Sequence, residues 1–181
     1  MLKPALFCTP LLTAALPIAA LLAAPADARP LPLPLARAAM VHPDGSPAGR
    51  VTLARRYGHL LLVVDLAGLP PGEHGLHFHA VGTCEGPDFK SAGGHLNPEG
   101  HQHGMLNPMG SHLGDLPNFI ADAQGHAQLQ IALDQLPDKL LPHLFDADGT
   151  AIVVHAAADD YRTDPSGNSG ARIACGVLRK P

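Results

Sequence analysis

The sequence contains no tryptophan, and only two tyrosines and five phenylalanines among 181 residues, so its core must rest on Val, Leu, Ile and Ala. Charge is also sparse. Lys, Arg, Asp and Glu make up 15% of the chain, and the formal net charge of −4 leaves no basic footprint for nucleic acid. No stretch sustains a helical period, which argues against a helix bundle. The 46% hydrophobic fraction supports a globular chain of one domain. Two kinds of residue are plentiful. Gly and Pro, 19 of each, point to many turns. The 12 histidines equal all Lys and Arg together, a density that asks for metal.

The first 28 residues do not read as fold. Lys3 precedes an apolar stretch from Ala5 to Ala24 that closes on Ala26-Asp27-Ala28, a small-x-small site. This layout predicts a signal peptide over residues 1–28, removed to leave a chain beginning at Arg29. The alternative, a retained membrane span, is interrupted by Pro4, Pro10 and Pro17 and closed early by Pro25 and Asp27. A lipid-bearing Cys8 would come too early and follows bulky Phe7. Loss of the leader takes Cys8 with it and leaves Cys84 and Cys175. In an oxidising compartment an even pair reads as one disulfide, the alternative being two free thiols.

Residues 29–35 are Pro-rich and read as a loose N-terminal arm before a domain over residues 36–181. Short β-type runs follow at Ala36–Val41, Arg50–Tyr57, His59–Leu66, Glu73–Ala80, Asn118–Ala123, His126–Leu133, Ala151–His155 and Ala171–Leu178. Eight close-spaced strands separated by breakers predict an all-β, antiparallel Greek-key sandwich or barrel. Gly82–Pro117 and Asp159–Gly170 are too long for turns and poor in apolar residues. Loops of that length are usually functional or disordered, and the first holds four histidines, so it is expected to fold around metal.

His77 and His79 lie at i and i+2, which on a strand puts both imidazoles on one face while Leu76 and Phe78 face the core. A lone His-x-His is a weak signal, and the donors further along the chain give it weight. His95, His101, His103, His112 and Asp115 supply imidazoles and a carboxylate within about twenty residues, enough for a closed tetrahedral zinc site of three nitrogens and one oxygen. His155 ends the apolar run Ile152-Val153-Val154, facing away from the side used by Val154. His42, His59, His74, His126 and His143 stand apart from these loops and read as turn or strand-surface residues.

Gly75-Leu76-His77-Phe78-His79, Gly94-His95-Leu96-Asn97-Pro98, His112-Leu113-Gly114-Asp115 and Gly170-Ala171-Arg172-Ile173-Ala174-Cys175-Gly176 occur in this order, and together the chain resembles the copper-zinc superoxide dismutases, in their bacterial secreted form. The resemblance spans Ala36 to Leu178. It implies dismutation of superoxide to oxygen and hydrogen peroxide, with copper and zinc as cofactors. It assigns His77, His79, His95 and His155 to copper, and His95, His103, His112 and Asp115 to zinc, with His95 bridging the metals and holding a proton for the product. The resemblance also implies the family's spacing, seven residues between the bridging His95 and the next ligand, and this selects His103 over His101. Asp159 is expected to link a copper-bound and a zinc-bound imidazole. Arg172 is expected beside the copper channel, and Cys84 and Cys175 as the intramolecular disulfide. Lys90 and Arg162 are candidates for steering an anionic substrate. The leader and the resemblance together place the protein in the periplasm, with extracellular release as the alternative, and leave monomer and homodimer both open. A metal carrier without turnover is the rival from another class, and a zinc hydrolase a weaker one.

Overall fold

A computed structural model describes residues 32–181; the expected leader, its cleavage site after Ala28 and the start of the Pro-rich arm lie outside the described residues. The described strands are β1 (Leu33–Val41), β2 (Pro47–Arg56), β3 (His59–Leu66), β4 (Gly72–His74), β5 (Leu76–His79), β6 (Phe119–Ala121), β7 (Ala127–Leu133), β8 (Ala151–His155) and β9 (Arg172–Val177). Seven form one sheet in the order β5-β8-β9-β1-β2-β3-β7, and every pairing is antiparallel. β4 and β6 form a separate two-stranded ladder. Since β4 leads into β5 and β6 into β7, this ladder ties the two edges of the large sheet together. The result is a curled, all-β structure, as the sequence predicts.

The alternation of side chains explains the curl. Ala36, Ala38 and Met40 of β1, Val51 and Leu53 of β2, and Leu60, Leu62 and Val64 of β3 are buried, while Arg37, Ala39, Arg50 and Asp65 face out. At about 25 cal/mol per Å², the inward aliphatic faces supply most of the driving force that the missing aromatics cannot. β8 differs, for all five of its residues are buried. Ile152 and Val154 enter the main core, whereas Ala151 and Val153 pack under Phe89 and Ala92 of the loop after β5. A loop thus covers the outer face of β8, and that is where the histidines emerge.

Three features depart from the expected run of strands. Glu73–Ala80 is two strands, because the chain changes partners at Gly75. His74 still pairs with Phe119, but Gly75 N–H donates to Ala157 O (2.9 Å) and accepts from His155 N–H at its own carbonyl (2.9 Å). Leu33–Leu35 belong to β1 rather than to a loose arm: Leu33 pairs with Arg55, and Pro34 falls at a register shift, where a missing N–H is tolerated. Pro137–Leu144 forms α1, an eight-residue helix and the one α-helix among the described residues. Pro137 occupies a first-turn position, where its absent N–H costs nothing, and Leu140 and Leu144 reach the core at i, i+4 spacing. Among the described residues no helix is long and apolar enough to cross a membrane.

Cys84 and Cys175 form a disulfide with a Cα–Cα distance of 5.7 Å across a sequence separation of 91. Closing a loop of that size stabilises by roughly 4–5 kcal/mol in the chain-entropy model. The bond ties the loop that carries Phe89 and Gly93 to the middle of β9.

Candidate metal centre

β5 presents His77 and His79 on the outer face, opposite Val153 and Ala151 of β8, and His155 ends β8 directly across from Arg172 of β9. The long loop is stitched to β5 by its backbone. Leu96 N–H donates to Phe78 O (2.8 Å), Phe78 N–H to Gly114 O (2.9 Å) and Gly114 N–H to Leu96 O (2.9 Å). This clamp brings His95 opposite His79 and Asp115 opposite His77. Gly114 is required there, since a Cβ would overlap the Phe78 carbonyl.

The histidines fall into two groups that share His95. In the first, His77, His79, His95 and His155 each bring a ligand atom within 4.8 Å of the others. Six buried side-chain polar atoms lack a partner among the described residues, and four of them are His77 Nδ1, His79 Nε2, His95 Nε2 and His155 Nε2. Buried polar atoms are normally satisfied, so four unpartnered ring nitrogens from four neighbouring imidazoles point to a ligand. The other nitrogen of each ring is held. His77 Nε2 donates to Asp159 Oδ2 (2.7 Å), His79 Nδ1 to Gly93 O (3.0 Å) and His155 Nδ1 to Gly170 O (3.2 Å). Those bonds fix the tautomer that leaves a lone pair on the unpartnered atom.

The second group converges on one oxygen. His95 Nδ1 and His103 Nδ1 each lie 3.0 Å from Asp115 Oδ1, His112 Nδ1 lies 3.2 Å from it, and His112 Nδ1 is 3.4 Å from His95 Nδ1. A tetrahedral site with bonds of 2.0–2.1 Å needs ligand atoms about 3.3 Å apart, so the spacing and the donor set fit zinc. His77 approaches this group too, but its Nε2 is occupied by Asp159, which leaves its free nitrogen to the first group. Asp115 Oδ2 accepts from the backbone N–H groups of Gly104 (2.9 Å) and His112 (3.0 Å), aiming Oδ1 inward.

Protonation follows from these surroundings. Burial, then the neighbouring His95, pushes His79 down to about 2. Burial also leads for His155, lowered to about 3, and for His95, lowered to about 4. His103 goes the other way. Burial opposes its charge, but hydrogen bonds to Asp115 and Asp159 outweigh that and raise it to about 9. Both carboxylates are held well below their usual range: burial opposes this, and the hydrogen bonds from the histidines prevail.

Asp159 spans the two groups, with Oδ2 on His77 Nε2 and Oδ1 on His103 Nε2 (2.9 Å). The sequence alone assigns no role to several residues around it. Asn118 Nδ2 donates to Asp159 O and Asn118 Oδ1 accepts from Asp159 N–H (both 2.9 Å), while Tyr161 O–H receives Asn118 N–H at 2.7 Å. Gly167, at φ +63°, leaves room that a Cβ would take from the Asp159 carboxylate. His74 is also placed differently from expectation. It is buried rather than on the surface, its Nδ1 donating to His155 O (2.8 Å) and its Nε2 facing Pro70 O (2.7 Å), which braces the end of β8. Its isolation in sequence hides this, because the change of partners at Gly75 breaks the alternation from His77. His101 stays outside both groups, exposed, with Nδ1 on Ser111 O and its backbone paired to the Asn97 side chain.

Arg172, His95 and His155 line a cavity of about 420 Å³ with His112 and Gly170. The Arg172 guanidinium donates to Phe89 O and Gly93 O, both at 2.7 Å, so the disulfide-anchored loop fixes its direction. Burial lowers its pKa from the ordinary value. Lys90 is paired with Asp88 at 2.7 Å on the surface and Arg162 donates to Leu106 O, and neither of these two cations lines the cavity that holds Arg172.

Residues 47–178 match the family model described as copper/zinc superoxide dismutase. A relative named superoxide dismutase [Cu-Zn] from Caulobacter vibrioides is 47% identical over 75% of this chain and 80% of its own. One named superoxide dismutase [Cu-Zn] 2 from Aquifex aeolicus is 42% identical over 80% of this chain and 86% of its own. Among solved structures, a SOD-like protein from Bacillus subtilis is similar with a TM-score of 0.72 at 39% identity, covering 79% of this chain and 97% of that one.

Proposed function

The chain belongs to the copper/zinc superoxide dismutase family, and from that premise we propose that His77, His79, His95 and His155 hold copper while His95, His103, His112 and Asp115 hold zinc. The enzyme dismutates superoxide: two superoxide anions and two protons become dioxygen and hydrogen peroxide, with copper and zinc as cofactors. Bound copper supplies the one-electron couple, and zinc, which has no redox chemistry, orders the loop and adds positive charge. The observation that carries the ligand division is the set of four buried, unpartnered ring nitrogens.

The chain's own residues then have separate tasks. His95 faces both groups, Nδ1 toward Asp115 and Nε2 toward His79 and His155, so Nε2 can take up a proton and release it to the peroxide product. Asp159 holds the rings of His77 and His103 in register, which couples the copper ligands to the zinc ligands. Arg172 attracts and orients the anion at the cavity mouth, a local field on a net-negative chain. The disulfide fits an exported protein. Removal of residues 1–28, residence in the periplasm and action as a monomer or homodimer complete the proposal.

The test is reconstitution. Metal-free protein given zinc alone should bind it without consuming superoxide, and adding one equivalent of copper should restore turnover. Full loading of both metals with no superoxide loss would make the chain a metal-binding protein on a dismutase scaffold. For the mouth residue, Arg172→Ala should slow turnover about tenfold at low ionic strength and flatten its salt dependence. An unchanged rate at low salt removes that role from Arg172.

A further inference from the structure

A metal-binding imidazole is normally aimed by a hydrogen-bond partner on its other nitrogen, and a ligating carboxylate by donors to its other oxygen. In the Asp115 group most of these outer partners are already in place. His103 Nε2 donates to Asp159 Oδ1 (2.9 Å), Asp115 Oδ2 accepts two backbone N–H groups, and His95 turns its Nε2 toward the copper group. His112 is the ligand still to be accounted for. Its Nδ1 lies 3.2 Å from Asp115 Oδ1, so holding zinc there leaves the ring proton on Nε2. The carboxylate that approaches His112 Nε2 is Asp164, with Oδ1 at 3.9 Å.

The same oxygen has a second task. Asp164 Oδ1 accepts the backbone N–H of His103 at 2.7 Å. One atom of the 159–170 loop thus reaches two residues of the zinc group, one through its ring and one through its backbone. Other contacts between the two loops avoid the ligands' rings. Leu106 N–H donates to Tyr161 O (2.9 Å), and Arg162 Nη1 donates to Leu106 O (3.2 Å). Asp160, the other exposed acid of this loop, spends its carboxylate within the loop, on Thr163 Oγ1 (2.6 Å) and Asn168 Nδ2 (2.9 Å). Position therefore separates two acids of one loop: Asp164 faces the zinc group and Asp160 does not.

We propose that Asp164 is a positioning residue for zinc, an inference that rests on the ligand set given above. Its Oδ1 orients the His112 ring through Nε2 and fixes the His103 backbone. The 159–170 loop then closes over the zinc group with two carboxylates, Asp159 on the copper side and Asp164 on the side of the cavity, whose wall includes His112, Pro165 and Ser166. The Asp164 side chain is 49% exposed, so solvent screens its charge. Its effect belongs at the lower end of the 10–100-fold that outer partners of metal ligands contribute.

The experiment follows zinc retained by protein loaded with both metals and then held in excess EDTA, an intact mass fixing the form tested. Asp164→Ala should release zinc about tenfold faster than the parent. Asp164→Asn keeps an oxygen for the His103 N–H but loses the charge facing His112, so its release should fall between the two. Co(II) bound in place of zinc should show visible bands that shift in Asp164→Ala and stay unmoved in Asp160→Ala. Should Asp164→Ala fail to fold, Asp164→Ser replaces it and is held to the same expectations. Release from Asp164→Ala at the parent's rate overturns the proposal. So does equal acceleration in Asp160→Ala, which would reduce the effect to general loosening of the loop, or release from Asp164→Asn as fast as from Asp164→Ala. His112→Ala separates this inference from the ligand set. Zinc held normally in His112→Ala overturns both, whereas zinc lost there but held normally in Asp164→Ala overturns the role of Asp164 alone.

Discussion

His155→Ala should abolish superoxide loss while leaving zinc content unchanged. The split follows from where the ring reaches. His155 Nε2 is one of the four unpartnered nitrogens, whereas the Asp115 group is drawn from His95, His103 and His112. Deleting the imidazole therefore removes a quarter of one ligand set and nothing from the other. The strand should survive the change, because the backbone bond from His155 N–H to Gly75 O does not depend on the side chain. Outer partners of metal ligands commonly contribute 10–100-fold, so loss of a direct ligand is expected to cost more than about a hundredfold in activity. His101→Ala serves as the control, since its ring is exposed and outside both groups, and it should alter neither metal content nor rate. Copper retained at full occupancy with normal turnover in His155→Ala would disprove the ligand division, and so would zinc lost along with copper.

Much of this site is legible in the residues alone, and the reason is geometric. His77-x-His79 on a strand needs only the two-residue period to converge, and His155 needs only the alternation of β8. Loop histidines carry no such period. Nothing in the local sequence separates His101 from His103; the family's spacing does. The physical difference is that the Asn97 side chain binds both the N–H and the carbonyl of exposed His101, while Asp164 accepts from the N–H of His103, whose side chain is buried. The elements that escaped the sequence all involve proline or a change of partner. Pro137 and Pro142 disguise α1, Pro32 and Pro34 disguise the start of β1, and Gly75 divides one apparent strand into two. Each is a local rule overridden by tertiary contacts that the sequence pattern does not display.

Without metal, the protein should lose stability steeply as pH falls from 6.5 towards 4. His79, His155 and His95 are depressed to about 2, 3 and 4, with burial as the leading cause in each, against 6.5 in the unfolded chain. Over that window the unfolded state takes up three protons that the folded state refuses, so stability rises with pH and falls on acidification. Three protons correspond to a slope of up to about 4 kcal/mol per pH unit. His77, also lowered, acts with the same sign. His103 does not offset this loss. Raised to about 9, it is protonated in both states below 6.5, and its contribution disappears only as pH climbs from 6.5 to about 9. The lowered Asp115 and Asp159 extend the loss further into acid, below the ordinary carboxylate value of 3.8. Metal-free stability should therefore peak near pH 6.5. Urea midpoints of the metal-free protein across the range test this, and a midpoint constant from pH 6.5 to 4 would show that the imidazoles are not held neutral by burial. Zinc and copper should broaden the plateau on its acid side, because nitrogens committed to metal do not protonate until the metal leaves.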